Sequence, residues 1–341
     1  MGIGMEYKNI LIIKMSSLGD VLHTLPFVAV LRERFPKARL TWLVHPQFGA
    51  FVPDPPVVDE VIYFDKVKFN KMGICDKWSY FREMRALLHS KRFDLVIDMQ
   101  GLFKSAALAA ISGCDNRIGY CEMREGSGFV SKAVTGPHAK DHVIERYLDV
   151  ARYLGCRAEE IRFPMPGLQK EWLAVRQKTD AAQSPYVVLA PGARWETKKW
   201  PAENFAALAA MILADGKHAV LAGGPEDVPL GAEIARQAPG VADLTGKTSL
   251  RELGALIQHC DAYISGDTGP LFIAAAMKKP LVALYGPTRP DRTGPYGSND
   301  ATILAAPVPC AGCLKKRCDT WICMKSITPE TVFAEYKKKV K

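Results

Sequence analysis

The 341-residue chain is too long for one ordinary domain and sufficient for two, and with 48% apolar residues each half can bury a core. No apolar run approaches the roughly 18–20 residues that span a bilayer, and the opening "MGIGMEYKNI" lacks the basic region and apolar core of a signal peptide, so a cytoplasmic protein is expected. The net charge of +9 suits an anionic partner, with solubility as the plain alternative; the basic residues are scattered apart from a terminal "KKKVK", and no RNA-binding or zinc-finger signature occurs, which disfavours nucleic acid.

In chain order, strand-like and helix-like runs alternate. "NILIIKM" precedes the helical "DVLHTLPFVAVLRERF". "RLTWLVH" and "EVIYF" follow, then the helical "WSYFREMRALLHSKRF", the buried strand "DLVIDMQ", the small-residue helix "SAALAAISG" and the long helix "AKDHVIERYLDVARYLG", which Gly155 closes. "CRAEEIRFPMPGLQ", with two prolines and a glycine, reads as a linker. A second alternating series then runs from "YVVLAPGA" through "HAVLAGG" and "AYISGD" to "PLVALYG". Strands alternating with helices predict parallel sheets covered on both faces. The expected organisation is α/β: a Rossmann-like domain over residues 1–166, a second over 167–325, and a final helix over 326–341 that packs back on the first domain. Ligands of such sheets bind at the carboxyl ends of the strands, and with two domains the expected site is the cleft between them.

The chemistry-bearing residues fall at those strand ends. Asp20 follows the first strand, with Ser17 and Gly19 beside it; it could cap the helix, or it could deprotonate an attacking hydroxyl. "DMQGLFKSAA" brings Gln100 and Lys104 to another strand end. "PGARWETKKWP" brings Arg194, Thr197 and Lys198, where a cation can neutralise a departing pyrophosphate. "LAGGPED" offers Glu226 or Asp227 to a ribose hydroxyl, or is a plain turn. In "SGDTGPLFIAAA" a strand ends at Asp267, Thr268 and Gly269; Asp267 and Thr268 could merely cap the following helix, or its free N–H groups could form an anion site. "LTGKTSL" is not a P-loop: five residues rather than four separate Gly240 from Gly246, and Thr248 or Ser249 is expected to cap a helix. No GxGxxG follows a strand. No Asp-x-Asp occurs, which favours charge neutralisation by lysine, arginine and helix ends over a carboxylate-held metal.

Together, "KMSSLGDVLHTLP", "DLVIDMQGLFKSAAL", "KKWP", "GGP", "LTGKTSL", "GDTGP" and "LYGPT" resemble, in order and spacing over nearly the whole chain, the lipopolysaccharide heptosyltransferases of glycosyltransferase family 9. The resemblance implies a GT-B fold and an inverting, metal-independent transfer of L-glycero-D-manno-heptose from ADP-heptose to a Kdo sugar of Kdo-lipid A at the inner-membrane surface, with no cofactor required for catalysis. It implies that Asp20 is the base, that Lys198 contacts the donor phosphates, and that Asp267, Thr268 and Gly269 form the donor loop, with Arg194, Thr197 and Glu226 also on the donor. Ser17, Gly19, Gln100, Lys104 and Arg124 are assigned to the acceptor. One departure stands out: Phe272 occupies a position where many relatives carry a histidine, which leaves open another donor sugar or acceptor. A catalytically silent nucleotide-sugar-binding protein is the alternative of another class.

Nine cysteines occur, and four of them, Cys310, Cys313, Cys318 and Cys323, stand at spacings that could close a structural zinc site; reduced free thiols or a redox pair are the alternatives.

Overall fold

The structure is a computed structural model that describes residues 6–340. The chain divides into two compact units between Pro166 and Gly167, inside the Pro/Gly-rich stretch. The first unit holds six strands, β1 (Asn9–Ile13), β2 (Arg39–Val44), β3 (Glu60–Tyr63), β4 (Leu95–Asp98), β5 (Arg117–Gly119) and β6 (Lys132–Ala133). They pair in parallel in the order β3-β2-β1-β4-β5-β6. The second unit holds β7 (Tyr186–Ala190), β8 (His218–Leu221), β9 (Ala242–Asp243), β10 (Ala262–Gly266), β11 (Leu281–Tyr285) and β12 (Ala301–Ala305), parallel in the order β12-β11-β10-β7-β8-β9. Each unit therefore starts its sheet in the middle, builds outward to one side, and crosses over to build the other. This is the doubly wound Rossmann arrangement, whose ligand position is the switch point outside the carboxyl ends of the two central strands.

The central strands are buried on both faces, which is why they read as continuous apolar runs: Ile10 to Ile13 and Tyr186 to Ala190 are all buried. The outer strands carry weaker signals. β9 is two residues long, consistent with the poor strand character of "RQAPGVADL", and β12 is only half-buried and escapes an apolar-run reading. Ser249 caps the helix Leu250–His259: its hydroxyl accepts from the Glu252 N–H (3.2 Å) and the Glu252 carboxylate accepts from the Ser249 N–H (2.7 Å), a reciprocal capping box in place of a P-loop.

The last helix, Pro329–Lys337, packs on the core of the second unit. Val332 and Tyr336 are fully buried in the core formed with Trp200, Phe205 and Met324, and Lys337 pairs with Asp215 at 2.8 Å beyond the end of the helix Ala202–Ala214. The apolar face of this helix covers the side of that core that the sheet leaves open, and burial against its own sheet sets where it lies.

Two predictions follow from these cores. Replacing a large buried side chain leaves a cavity, so Tyr336→Ala should lower the stability of the second unit by about 3 kcal/mol, read as an earlier urea transition. His23, 4% exposed in the helix Leu18–Arg34, lies edge-on to His142 at 5.7 Å. Burial, opposed by the Asp20 charge and reinforced by His142 and Lys14, pushes its pKa from 6.5 down to about 3. The unfolded chain therefore takes up a proton at a pH where the native chain does not. The stability this group contributes is present above pH 6.5 and is lost as pH falls toward 3. Urea midpoints measured from pH 7 to 4 should fall less steeply in His23→Gln than in the parent chain.

Candidate active site

In the first unit the switch point lies between β1 and β4, and two loops leave it. After β1 the chain runs through Lys14, Met15 and Ser16 into the helix Leu18–Arg34, with Ser17 as its N-cap. Asp20 is the third helical residue. Its Oδ2 accepts from both the Ser17 N–H and the Ser17 hydroxyl, each at 2.8 Å. The carboxylate thus does cap the helix, and it also sits where the positive end of the helix dipole favours a negative charge. Partial burial pushes its pKa up, but Lys14, the Ser17 donors and His23 more than offset that, and the group is held below the usual aspartate value. Asp20 is an ionised carboxylate at neutral pH.

Lys14 is the residue that sequence reading overlooked. It stands at the end of a strand run, "ILIIK", yet is 2% exposed. Its Nζ donates to the Met99 carbonyl and to the Tyr147 hydroxyl, both at 2.7 Å, and lies 4.9 Å from the centre of the Tyr147 ring. Burial lowers its pKa, while Asp20 and Asp98 pull it back up. A lysine inside a strand buried on both faces was the available signal. The loop around it is tied down by Gln100, whose side-chain oxygen accepts from the Met15 and Ser16 N–H groups at 3.0 Å each. Gln100, predicted as an acceptor contact, is 8% exposed and braces the Asp20 loop with that oxygen.

After β4, the fully buried Asp98 organises the second loop, accepting from the Gln100 and Gly101 N–H groups and the Ser105 hydroxyl, each at 2.9 Å. Burial raises its pKa against those three donors. Gly101 has φ +64°, and a Cβ there would lie 2.6 Å from the Glu122 carbonyl, so this turn admits only glycine. Its carbonyl accepts from the Arg124 N–H at 2.9 Å, which brings Arg124, with an exposed side chain, beside the same loop. Lys104 is exposed and donates to Asn70 at 2.8 Å. Lys66, not singled out from sequence, donates to the Ser16 hydroxyl at 3.0 Å and places another cation next to the Asp20 loop. Asp20, Ser17, Gln100 and Arg124 therefore share one end of the first sheet with Lys14 and Lys66.

In the second unit the switch point lies between β7 and β10. Lys198 Nζ pairs with Asp267 Oδ2 at 2.6 Å, approaches the Asp267 carbonyl at 3.3 Å, and lies 4.6 Å from the centre of the Trp195 ring. The turn is braced from behind. Thr197, 3% exposed, donates its hydroxyl proton to the Lys315 carbonyl (2.8 Å), and the Trp321 indole N–H donates to the Thr197 carbonyl (3.2 Å). A Cβ on Gly266 would meet the Lys198 carbonyl at 2.8 Å, so the two loops touch through glycine. Thr268, in extended backbone, is the N-cap of the helix Gly269–Ala276, whose first N–H groups have no partner within the helix. Phe272 lies buried in that helix at 8% exposure. Lys198, Asp267, Thr268 and Gly269 thus come together. Arg194 and Glu226 are exposed on neighbouring loops. Of the two acids in the β8 loop, Asp227 is the one held close: it accepts from the Gly224 N–H at 2.9 Å and packs so closely on Gly192 that any Cβ there would clash at 2.2 Å.

The terminal cysteines do not meet the zinc expectation. Among the described residues no group of three or more His, Cys, Asp or Glu side chains is placed to hold a metal. Cys323 is 6% exposed and turned into the second unit's core, against Gly286, while Cys310, Cys313 and Cys318 are exposed.

Chemically, the first unit presents an ionised carboxylate among cations, and the second a lysine and a helix start suited to a diphosphate. Residues 81–321 match the family described as glycosyltransferase family 9 (heptosyltransferase). The chain is 31% identical to lipopolysaccharide heptosyltransferase 1 of Pseudomonas aeruginosa, over 91% of this chain and 87% of that one. It is 29% identical to lipopolysaccharide heptosyltransferase 2 of Escherichia coli, over 87% of each. The structure is similar to that of the E. coli ADP-heptose lps heptosyltransferase II, with a TM-score of 0.78 at 25% identity over 98% of both chains. With two Rossmann-like units of the GT-B type and a family match over most of its length, the chain belongs to glycosyltransferase family 9, the heptosyltransferases.

Proposed function

We propose that the protein transfers L-glycero-D-manno-heptose from ADP-heptose to a Kdo residue of the lipopolysaccharide inner core, as a heptosyltransferase I, with inversion at the anomeric carbon. The observation that carries this reading is Asp20: an ionised carboxylate whose two helix-capping bonds both fall on Oδ2, so that Oδ1 makes no hydrogen bond among the described residues. In the reaction Asp20 Oδ1 takes the proton of the acceptor hydroxyl as that oxygen attacks the anomeric carbon. The bond from that carbon to the ADP oxygen breaks. The charge that develops on the diphosphate is met by Lys198, whose ammonium keeps a third N–H beyond its two contacts with Asp267, and by the start of the helix Gly269–Ala276. Arg194 and Glu226 serve the rest of the nucleotide sugar. Lys104, Arg124 and the newly noted Lys66 serve an acceptor that carries carboxylates and phosphates. No step calls for a metal or other cofactor.

A second reading, transfer of another sugar or to another acceptor within the family, is favoured by Phe272, an apolar side chain in the first turns of the helix assigned to the donor. In a nucleotide-sugar-binding protein without turnover Asp20 would serve only as the cap of the helix Leu18–Arg34.

Mass spectrometry of Kdo-lipid A incubated with ADP-heptose should show addition of one heptosyl residue. Product formed only from UDP- or GDP-sugars would move the assignment to the second reading. Asp20→Ala should reduce kcat by about 10²–10⁴-fold while ADP affinity measured by calorimetry stays within about twofold; equal losses of both would remove Asp20 from the role of base. Lys14 lowers the Asp20 pKa by its charge. Lys14→Met should therefore move the acid limb of the kcat/KM profile to higher pH, and an unmoved limb would show that the ammonium does not set the ionisation of the base.

A further inference from the structure

The first unit exposes large apolar side chains that neither the core nor the proposed chemistry uses. Ile74 is 87% exposed, Trp78 69%, Phe103 66% and Phe129 98%. Ile74 and Trp78 stand one turn apart on the helix Ile74–Ser90, so they share a face. The short helix Lys66–Lys71, capped by Asp65, precedes them. It is tied to Phe103 and its neighbour through the 2.8 Å bond from Lys104 to Asn70, and the Phe103 N–H in turn donates to Glu125 at 3.2 Å, on the turn that carries Phe129. The rim runs on to the Asp20 loop through the Lys66–Ser16 bond.

The charge along this rim is predominantly positive, with Asp65, Asp76 and the exposed Glu125 as its acids. Between residues 66 and 78 stand Lys66, Lys68, Lys71 and Lys77 against a single acid, Asp76, and Lys104 and Arg124 are exposed nearby. Exposed aromatic and branched apolar groups interleaved with lysines are what an anionic bilayer surface binds, the rings at headgroup depth and the cations on the lipid charges. A soluble partner protein would not call for four separate exposed apolar side chains spread over three segments of the chain.

We propose that this rim is a membrane-docking surface that seats the first unit on an anionic lipid leaflet through Ile74, Trp78, Phe103 and Phe129, with the flanking lysines supplying the electrostatic attraction. It rests on the reading above in that the lipid-borne acceptor would then be met at the surface where it resides.

The vesicle-binding measurement needs neither donor nor acceptor, so its failure is separate from failure of the transfer reaction. The full chain is mixed with vesicles of phosphatidylethanolamine and phosphatidylglycerol, and in parallel with phosphatidylcholine vesicles, and binding is read by co-sedimentation and tryptophan emission. Trp78 is the one tryptophan classed as exposed among the described residues, so emission should shift to the blue on the anionic vesicles, and added salt should weaken binding. The double variant Ile74→Ser, Trp78→Ser and the single variant Phe129→Ser lie outside the core and should keep the parent melting temperature. The double variant should bind anionic vesicles at least tenfold more weakly, and both variants should transfer to a delipidated, water-soluble acceptor at the parent rate. Absence of binding to anionic vesicles, equal binding to phosphatidylcholine, or full binding by the variants would each overturn the proposal. So would concentration-dependent dimerisation that the variants abolish, which would assign the rim to a second copy of the chain.

Discussion

A carboxylate kept ionised beside a buried ammonium is the arrangement on which the first unit's end depends. Lys14 closes β1 with its charge inside the protein, satisfied by the Met99 carbonyl and the Tyr147 hydroxyl, and its charge lowers the pKa of Asp20. Burying a cation costs several kcal/mol unless it is paired and hydrogen-bonded, so a fold that retains one at a strand end has a reason to keep it there. The same loop is fixed by Gln100 and the loop beside it by Asp98, so the position of Asp20 is set by three neighbouring side chains with no freedom to drift. Pre-organisation of this kind is what a proton acceptor needs, because reach of about 3 Å is the first requirement of general base catalysis.

The second unit repeats the topology and inverts the charge. Where the first unit turns from β1 into a helix led by an acid, the second turns from β10 into a helix whose start is left open, and it brings Lys198 from the β7 loop to that start. Trp195, Thr197 and the segment around Lys315 and Trp321 hold the Lys198 turn from behind, so the cysteine-containing loop supports that turn through packing and backbone hydrogen bonds.

How much of this was legible in the chain follows from where each residue's signal lies. The central strands were readable because burial on both faces writes them as apolar runs, and Asp20, Lys198 and Asp267 were readable because each stands where such a run stops. β9 and β12 were not readable: one is two residues long and the other an edge strand whose residues are half exposed. Lys14 was hidden by its own context, since a single lysine in an apolar run reads as a surface interruption until coordinates show Tyr147, 133 positions away in sequence, reaching its ammonium. Lys66 was missed because only the fold brings it to Ser16. The final helix's amphipathic pattern states that it has a buried face but not which core that face covers, and the fold supplies the second unit's core. The cysteines show the converse limit: their spacing suits a metal, and the fold turns Cys323 into the second unit's core while the other three are exposed.

The claim at the centre of this account is that Asp20 receives the acceptor's proton. Its most direct test is a crystal structure of the protein with a non-transferable ADP-sugar analogue and a Kdo-containing acceptor. The account predicts the attacking hydroxyl oxygen within about 3.2 Å of an Asp20 carboxylate oxygen. An acceptor hydroxyl held by another carboxylate or by an imidazole, with Asp20 still turned wholly onto Ser17, would contradict it.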